Sequence, residues 1–256
     1  MSLLELKVNP KLNLEVPKFV CDHNPLGEHL NKYEMLSHLN SFSFTCLVGR
    51  PGSGKTSYLI SLLTGKGEQK VFRKVFEHIL LVMPSSSRNS MKKNPFKKHS
   101  AEKMFEELDY TTAETIYDRL LKSSEEKEKT LLVLDDVGAS LKNKEIQKIL
   151  RKIIYNRRHL KCHIVMMVQS YISIPKEIRK LITNCILFKP SKVEMVNFTE
   201  ELFERKKDKA IEIMNFAYRE KHDYIFLNVE GQKMYRCFDE IIMHDNDDDD
   251  TNKKNV

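Results

Sequence analysis

The sequence predicts an α/β protein with a mostly parallel sheet and helices wound on both faces. Three observations carry this expectation. Five short aliphatic runs, FSFTCLV (42–48), HILLVM (78–83), TLLVLD (130–135), HIVMMVQ (163–169) and CILFK (185–189), show little polar alternation, as strands buried on both faces do. Longer segments between them repeat apolar residues at helical spacing. A glycine-rich turn, GRPGSGKT (49–56), joins the first run to the first helical segment. Strand and helix alternating in this way give a doubly wound core.

Taken in order, residues 1–40, with Pro10, Pro17 and Pro25, form a loosely structured lead-in, and residues 41–190 form the core. Within the core a helix from Lys55 to Leu63 follows the glycine-rich turn. A second, Thr112–Glu126, places Ile116, Leu120 and Leu121 on one face. A third, Leu141–Arg158, does the same with Leu141, Ile146, Ile149, Leu150, Ile153 and Ile154. After Pro190 the pattern changes, and residues 191–243 read as an extension of the same domain. Residues 192–219 are expected to be helical. YIFLN (224–228), a turn at Glu230-Gly231 and KMYRCF (233–238) then make a hairpin. The acidic tail, 244–256, opens with HDNDDDD and has the composition of a disordered segment.

A chain of 256 residues with 41% apolar content can bury one substantial core. No apolar run approaches the ~20 residues of a membrane span, and the N-terminus lacks the pattern of a secretion signal. Five cysteines, at 21, 46, 162, 185 and 237, form no CxxC pair. That argues against a disulfide framework or a zinc site and fits a reducing compartment. The net charge of +7 combines a basic body with five aspartates in the tail. Such a balance suits a nucleic-acid partner and equally an ordinary charged surface.

The turn Gly49-x-x-x-x-Gly54-Lys55-Thr56 matches a phosphate-binding loop in its required place, after a strand and opening a helix. Its nucleotide-binding set is Gly49, Arg50, Pro51, Gly52, Ser53, Gly54, Lys55, Thr56 and Ser57. Arg50 and Pro51 fill free positions of the motif, where little chemistry is expected. Inward N–H groups and the following helix N-terminus hold phosphate oxygens. Lys55 reaches the β- and γ-phosphates, and Thr56 ligates Mg²⁺. LLVLDD (131–136) brings acids to a strand's C-terminal end, where ligands sit in open α/β sheets. Asp135 is the Mg²⁺ residue, through a bound water. Asp136 orients or deprotonates the attacking water, or else caps a helix or joins a salt bridge. Gln169 lies beside the γ-phosphate if its strand runs between the loop strand and the acid strand; otherwise it makes a strand-end hydrogen bond. Where a GTPase would show Asn-Lys-x-Asp, this chain has Gln169-Ser170-Tyr171-Ile172, which points to ATP.

GRPGSGKTSYL, LLVLDDVGASL, NRRHLKCHIVMMVQSY and Ile174-Pro175-Lys176-Glu177-Ile178-Arg179 together resemble the genome-packaging ATPases of nucleocytoplasmic large DNA viruses. These belong to the FtsK–HerA division of P-loop ATPases. The resemblance runs from about Phe42 to Lys189. It implies a P-loop NTPase core of strand order 5-1-4-3-2. It also implies Mg²⁺-dependent ATP hydrolysis by a homo-oligomeric ring that moves double-stranded DNA into a viral capsid, in the host cytoplasm at the virus factory or in the virion. One departure is Asp136, where the wider superfamily commonly has Glu. A ring ATPase completes each site with an arginine from the neighbouring subunit; Arg157 and Arg158 are the candidates, with Arg179 in reserve. Basic residues at a helix C-terminus also simply complement its dipole. For DNA, the acid-free loop 84–99 offers Arg88, Lys92, Lys93, Lys97 and Lys98, either as phosphate contacts or as a solvated surface. Two alternatives stand beside this: a cellular or mobile-element ATPase of the helicase-loader type, and a nucleotide-binding switch without rapid turnover.

Overall fold

The aliphatic runs become neighbours in a single sheet in the computed structural model, which describes residues 25–89, 91 and 94–243. Its strands are β1 (Phe44–Val48), β2 (His78–Val82), β3 (Met104–Phe105), β4 (Thr130–Asp135), β5 (Cys162–Val168), β6 (Asn184–Phe188), β7 (Tyr224–Asn228), β8 (Lys233–Arg236) and β9 (Asp239–Glu240). The spatial order is β3-β2-β4-β5-β1-β6-β7-β8-β9. Pairings from β3 to β6 are parallel, and those from β6 to β9 are antiparallel. The five strands expected from sequence therefore take the order 5-1-4-3-2, extended at both edges. The hairpin β7–β8 prolongs the sheet beyond β6, and β3 adds a two-residue strand beyond β2 that no sequence pattern announced.

The helices are α1 (Glu34–Ser37), α2 (Lys55–Thr64), α3 (Ser85–Asn89), α4 (Tyr110–Glu125), α5 (Lys144–Tyr155), α6 (Lys176–Arg179), α7 (Lys192–Glu201) and α8 (Lys207–Ala217). Side chains fix where several of them start. Asp109 accepts from the Thr112 amide to open α4, and Asn143 accepts from the amides of Glu145 and Ile146 to open α5. Ser191 and Glu194 form a reciprocal capping box on α7. None of the described helices is long and apolar enough to cross a membrane.

Alternate strand residues feed two separate cores, which is why polar alternation is missing from the sequence. Leu132, Leu134, Ile164 and Met166 meet Ile116 and Leu120 of α4, Ile146, Leu150 and Ile153 of α5, and Phe198 and Ile213 of α7 and α8. Leu131, Val133, Val165, Met167 and Ile186 meet Leu59 and Leu62 of α2 together with Leu30, Leu36, Leu39 and Phe72.

Three local expectations change. Residues 25–40 are not loose: Leu26, Leu30, Met35, Leu36 and Leu39 are buried, because the α2 side of the sheet needs a second apolar cover. The segment 192–219 is two helices, since the chain turns between Leu202 and Lys206, with Glu204 at φ 52, and folds α8 back against α7. Leu121, expected on the apolar face of α4, is 38% exposed. The acidic tail from His244 onward lies outside the described residues.

Candidate nucleotide site

The glycine-rich loop leaves β1 at Val48 and is pinned at once, because the Gly49 amide donates to the Val168 carbonyl of β5 at 3.1 Å. A Cβ at Gly49 would lie 2.6 Å from Ser53 Oγ and 2.8 Å from Phe188 Cβ, so only glycine fits between the loop and β6. Gly54 has φ +116, outside the range that L side chains adopt readily, and this turns the chain into α2. The Tyr58 amide then donates to the Gly54 carbonyl at 2.8 Å, so the free N-terminus of α2 points into the loop. The Lys55 ammonium lies across the loop, donating to the Gly49 carbonyl and to the Arg50 carbonyl at 3.2 Å. Burial lowers its pKa, while Asp135 and Asp136 pull the other way. Thr56 is half-buried at the helix start; Arg50, Pro51, Gly52 and Ser57 are exposed.

The acids arrive from β4. Asp135 is its last residue, pairs in register with Met167, and is only 8% exposed. Burial, then the neighbouring Asp136 charge, raise its pKa to about 6, and Lys55 opposes them. Asp136 leaves the sheet with φ 54, its amide donating to the Met167 carbonyl at 3.2 Å and its side chain exposed. Asp is among the residues that tolerate this left-handed conformation best. Because β5 runs between β1 and β4, Gln169 emerges between the loop and the acids, and its Nε2 donates to Asp136 Oδ1 at 3.1 Å. Lys55, Asp135, Asp136 and Gln169 thus gather at the C-terminal ends of the central strands β1, β4 and β5. Adjacent carboxylates balanced by a single ammonium, with the Thr56 hydroxyl on the first turn of α2, are a donor set that suits a hard divalent cation.

The arginines do not gather there. α5 runs back along the sheet, so Arg157 lies at the N-terminal ends of the central strands, where its Nε donates to the Phe42 carbonyl at 2.9 Å and its Nη1 to the Ile154 carbonyl at 3.0 Å. Burial, then the Arg158 charge, lower its pKa. Arg158 is exposed at the same end of the strands. Arg179 pairs with Glu201 at 2.8 Å and sits over the Tyr171 ring. The loop 84–99 loses its leading cation: Arg88 is paired with Glu106, just beyond β3, and donates to the Met83 carbonyl at 2.6 Å. Lys97 and Lys98 are exposed, and Lys92 and Lys93 lie outside the described residues.

Sequence patterns missed His222, whose Nδ1 pairs with the Ser53 carbonyl at 3.1 Å. They also missed the aromatic support beneath the loop, where Tyr58 meets Tyr224 at 5.0 Å and Phe188 at 6.5 Å between ring centroids. Phe188 was visible as a strand end. His222 and Tyr224 reach the loop only because β7 adds antiparallel to β6, which places the start of β7 beside the end of β6.

Residues 31–256 match the model of a family described as Poxvirus A32 protein. No curated protein matches the chain. Among solved structures, the genome packaging NTPase B204 from Sulfolobus turreted icosahedral virus 2 in complex with AMP is similar over 78% of this chain and 98% of that one, with a TM-score of 0.54 and 15% identity. Its complex with AMPPCP gives a TM-score of 0.55 at 13% identity over 78% and 98% of the two chains. B204, the DNA-packaging ATPase from Sulfolobus turreted icosahedral virus, gives 0.57 at 13% identity over 79% and 98%. At such identities the likeness is one of fold.

Proposed function

The chain belongs to the poxvirus A32 protein family, and on that premise we propose that it is a Mg²⁺-dependent ATPase whose ring drives double-stranded DNA into a viral capsid. The observation that carries this reading is the pairing of Gln169 with Asp136 at 3.1 Å beside Asp135 and the Lys55 loop. A turn that only bound nucleotide would not need a second acid held in place by a polar partner. The solved relatives add support: B204 is a DNA-packaging ATPase, and others of these structures are complexes with AMP and AMPPCP.

In this mechanism the loop amides and Lys55 hold the triphosphate, with Lys55 neutralising the β- and γ-phosphate oxygens. Thr56 and Asp135 would hold Mg²⁺, which screens phosphate charge when bound. Asp136 accepts the proton of the attacking water. Gln169 keeps the Asp136 carboxylate turned toward that water with its amide nitrogen, and its amide oxygen is free to accept from the same water. Arg157 is committed to backbone carbonyls, so the arginine acting in trans is assigned to Arg158. Contacts to DNA are to phosphate and independent of sequence, and Lys97 and Lys98 with Lys92 and Lys93 supply part of them. Residues 41–190 form the motor and 191–243 buttress its loop. The place of action is the virus factory in the host cytoplasm.

The test is steady-state ATP hydrolysis with and without long duplex DNA, alongside assembly state by light scattering. We expect an oligomer stimulated by duplex DNA and silenced by Lys55→Ala. A monomer indifferent to duplex DNA would replace this reading with a nucleotide switch. Stimulation by single strands alone would replace it with a helicase-loader type of activity.

A further inference from the structure

The outward face of α5 is the clearest charged surface left without a role. Ile146, Leu150, Ile153 and Ile154 bury one side of the helix in the core. The other side carries Lys144, Lys148, Arg151 and Lys152, with Tyr155 among them at 66% exposure. Steps of three and four residues place these on one stripe, roughly 17 Å long at a rise of 1.5 Å per residue. Glu145, at the margin of the stripe, is the acid that α5 itself contributes.

Some surface cations elsewhere are paired, Lys32 with Glu68, Lys209 with Glu212, Lys233 with Glu34 and Arg236 with Asp223; what sets α5 apart is four cations on one helical stripe with one acid at its margin. Among the described residues, no carboxylate forms an ion pair with Lys144, Lys148, Arg151 or Lys152. Lys152 instead lies over the Tyr117 ring at 4.1 Å, and Arg151 is half-buried, so the exposed cations of the stripe are Lys144, Lys148 and Lys152. Like charges four residues apart, as at 144, 148 and 152, weaken a helix slightly. A polyanion laid along the stripe would reverse that effect.

We propose that this face of α5 binds the phosphate backbone of duplex DNA; the proposal rests on the translocase reading above and names its DNA surface. A duplex carries one charge per about 1.7 Å of axis, so a stripe of this length faces roughly ten phosphate charges. Lysine and arginine with one exposed tyrosine suit phosphate and sugar rather than base edges, as a motor indifferent to sequence requires. The placement also links chemistry to movement. α5 follows Asp136 after a short connection, a turn at 137–139 and the 3-10 segment Ser140–Lys142. The proposed DNA helix is thus joined by a short segment to the acid at the nucleotide site.

The experiment measures binding of a fluorescein-labelled duplex of random sequence by anisotropy over a salt series, using the full chain. In Lys144→Ala/Lys148→Ala/Lys152→Ala, affinity falls at least tenfold at moderate salt. The slope of log K on log salt shrinks by about 0.9 for each phosphate that the variant no longer neutralises. Basal ATP hydrolysis stays unchanged, which shows an intact fold and nucleotide site. The matching lysine-to-arginine triple variant binds as wild type does. Unchanged affinity and slope in the alanine variant, with the wild type binding duplex normally, would overturn the proposal and leave the translocase reading standing. A wild-type protein that binds no duplex at any salt would overturn both. Lost self-assembly with DNA affinity intact would assign the stripe to an acidic protein surface and overturn the proposal.

Discussion

The Gln169 amide donates to Asp136 Oδ1 across the gap between β5 and β4, at 3.1 Å. The bond fixes a carboxylate that would otherwise rotate freely in solvent at a left-handed bend. Asp136→Asn removes the proposed proton acceptor while keeping shape, and kcat is expected to fall roughly 10²–10⁴-fold with little change in KM. Gln169→Ala releases the carboxylate without removing it, so its loss of kcat is smaller. Gln169→Glu sets two carboxylates side by side, which favours protonation of the pair, so its pH–rate profile shifts to higher pH. Steady-state kinetics of the three variants across pH check the series. Wild-type kcat in Asp136→Asn would remove Asp136 from the chemistry.

Asp135 is a buried carboxylate whose charge opposes folding. Its folded pKa is raised to about 6 from an ordinary 3.8, chiefly by burial. Between those values the folded state holds more protons than the unfolded one, so stability falls as pH rises through that window. Above it the buried charge exerts its full penalty. Asp135→Asn carries no charge at any pH. Without Mg²⁺ it should therefore melt a few degrees above wild type at neutral pH, and the gain should vanish near pH 4. The same variant should lose Mg²⁺-dependent turnover. Thermal melts in chelator across pH, paired with ATPase assays, measure both halves.

How much of this was legible beforehand follows from what kind of signal each residue leaves. Gly54, Lys55 and Thr56 were visible because a phosphate loop needs fixed residues at fixed spacing. Asp135 was visible because acids end an otherwise apolar run. Gln169 was only conditionally visible, since its role required β5 to lie between β1 and β4, a fact of pairing rather than of spacing. His222 left no local trace: it reaches Ser53 through antiparallel addition of β7 to β6. Arg157 could not be assigned from sequence, because a basic helix end serves equally as a trans-acting arginine and as a partner for stray carbonyls. The Phe42 carbonyl that it meets comes from a different element, beyond the reach of sequence periodicity.

Gly49 tests whether the loop's fit against β6 matters for binding. A methyl group there would meet Phe188 Cβ at 2.8 Å, and that atom is held by the strand. The loop must move away from β6, carrying the Lys55 amide with it. Gly49→Ala should raise the KM for ATP tenfold or more, and it should lower Tm because the Gly49 bond to the Val168 carbonyl is disturbed. ATP titrations by calorimetry and thermal melts check this; unaltered ATP affinity would mean that the loop tolerates the shift.

Arg157 and Arg158 are neighbours with different expected fates. Arg157 is half-buried, and its guanidinium bridges the Phe42 and Ile154 carbonyls. Removing a charged donor from partly buried acceptors costs about 1–3 kcal/mol, so Arg157→Ala should lower Tm while basal hydrolysis per folded molecule persists. Arg158 is exposed, and Arg158→Ala should leave Tm unchanged. If Arg158 acts on a neighbour's nucleotide, that variant loses turnover alone. Mixed with Lys55→Ala subunits, it regains some, because a mixed ring contains interfaces with an intact loop on one side and an intact arginine on the other. Mixtures shown to co-assemble yet regaining nothing would move the trans role away from Arg158.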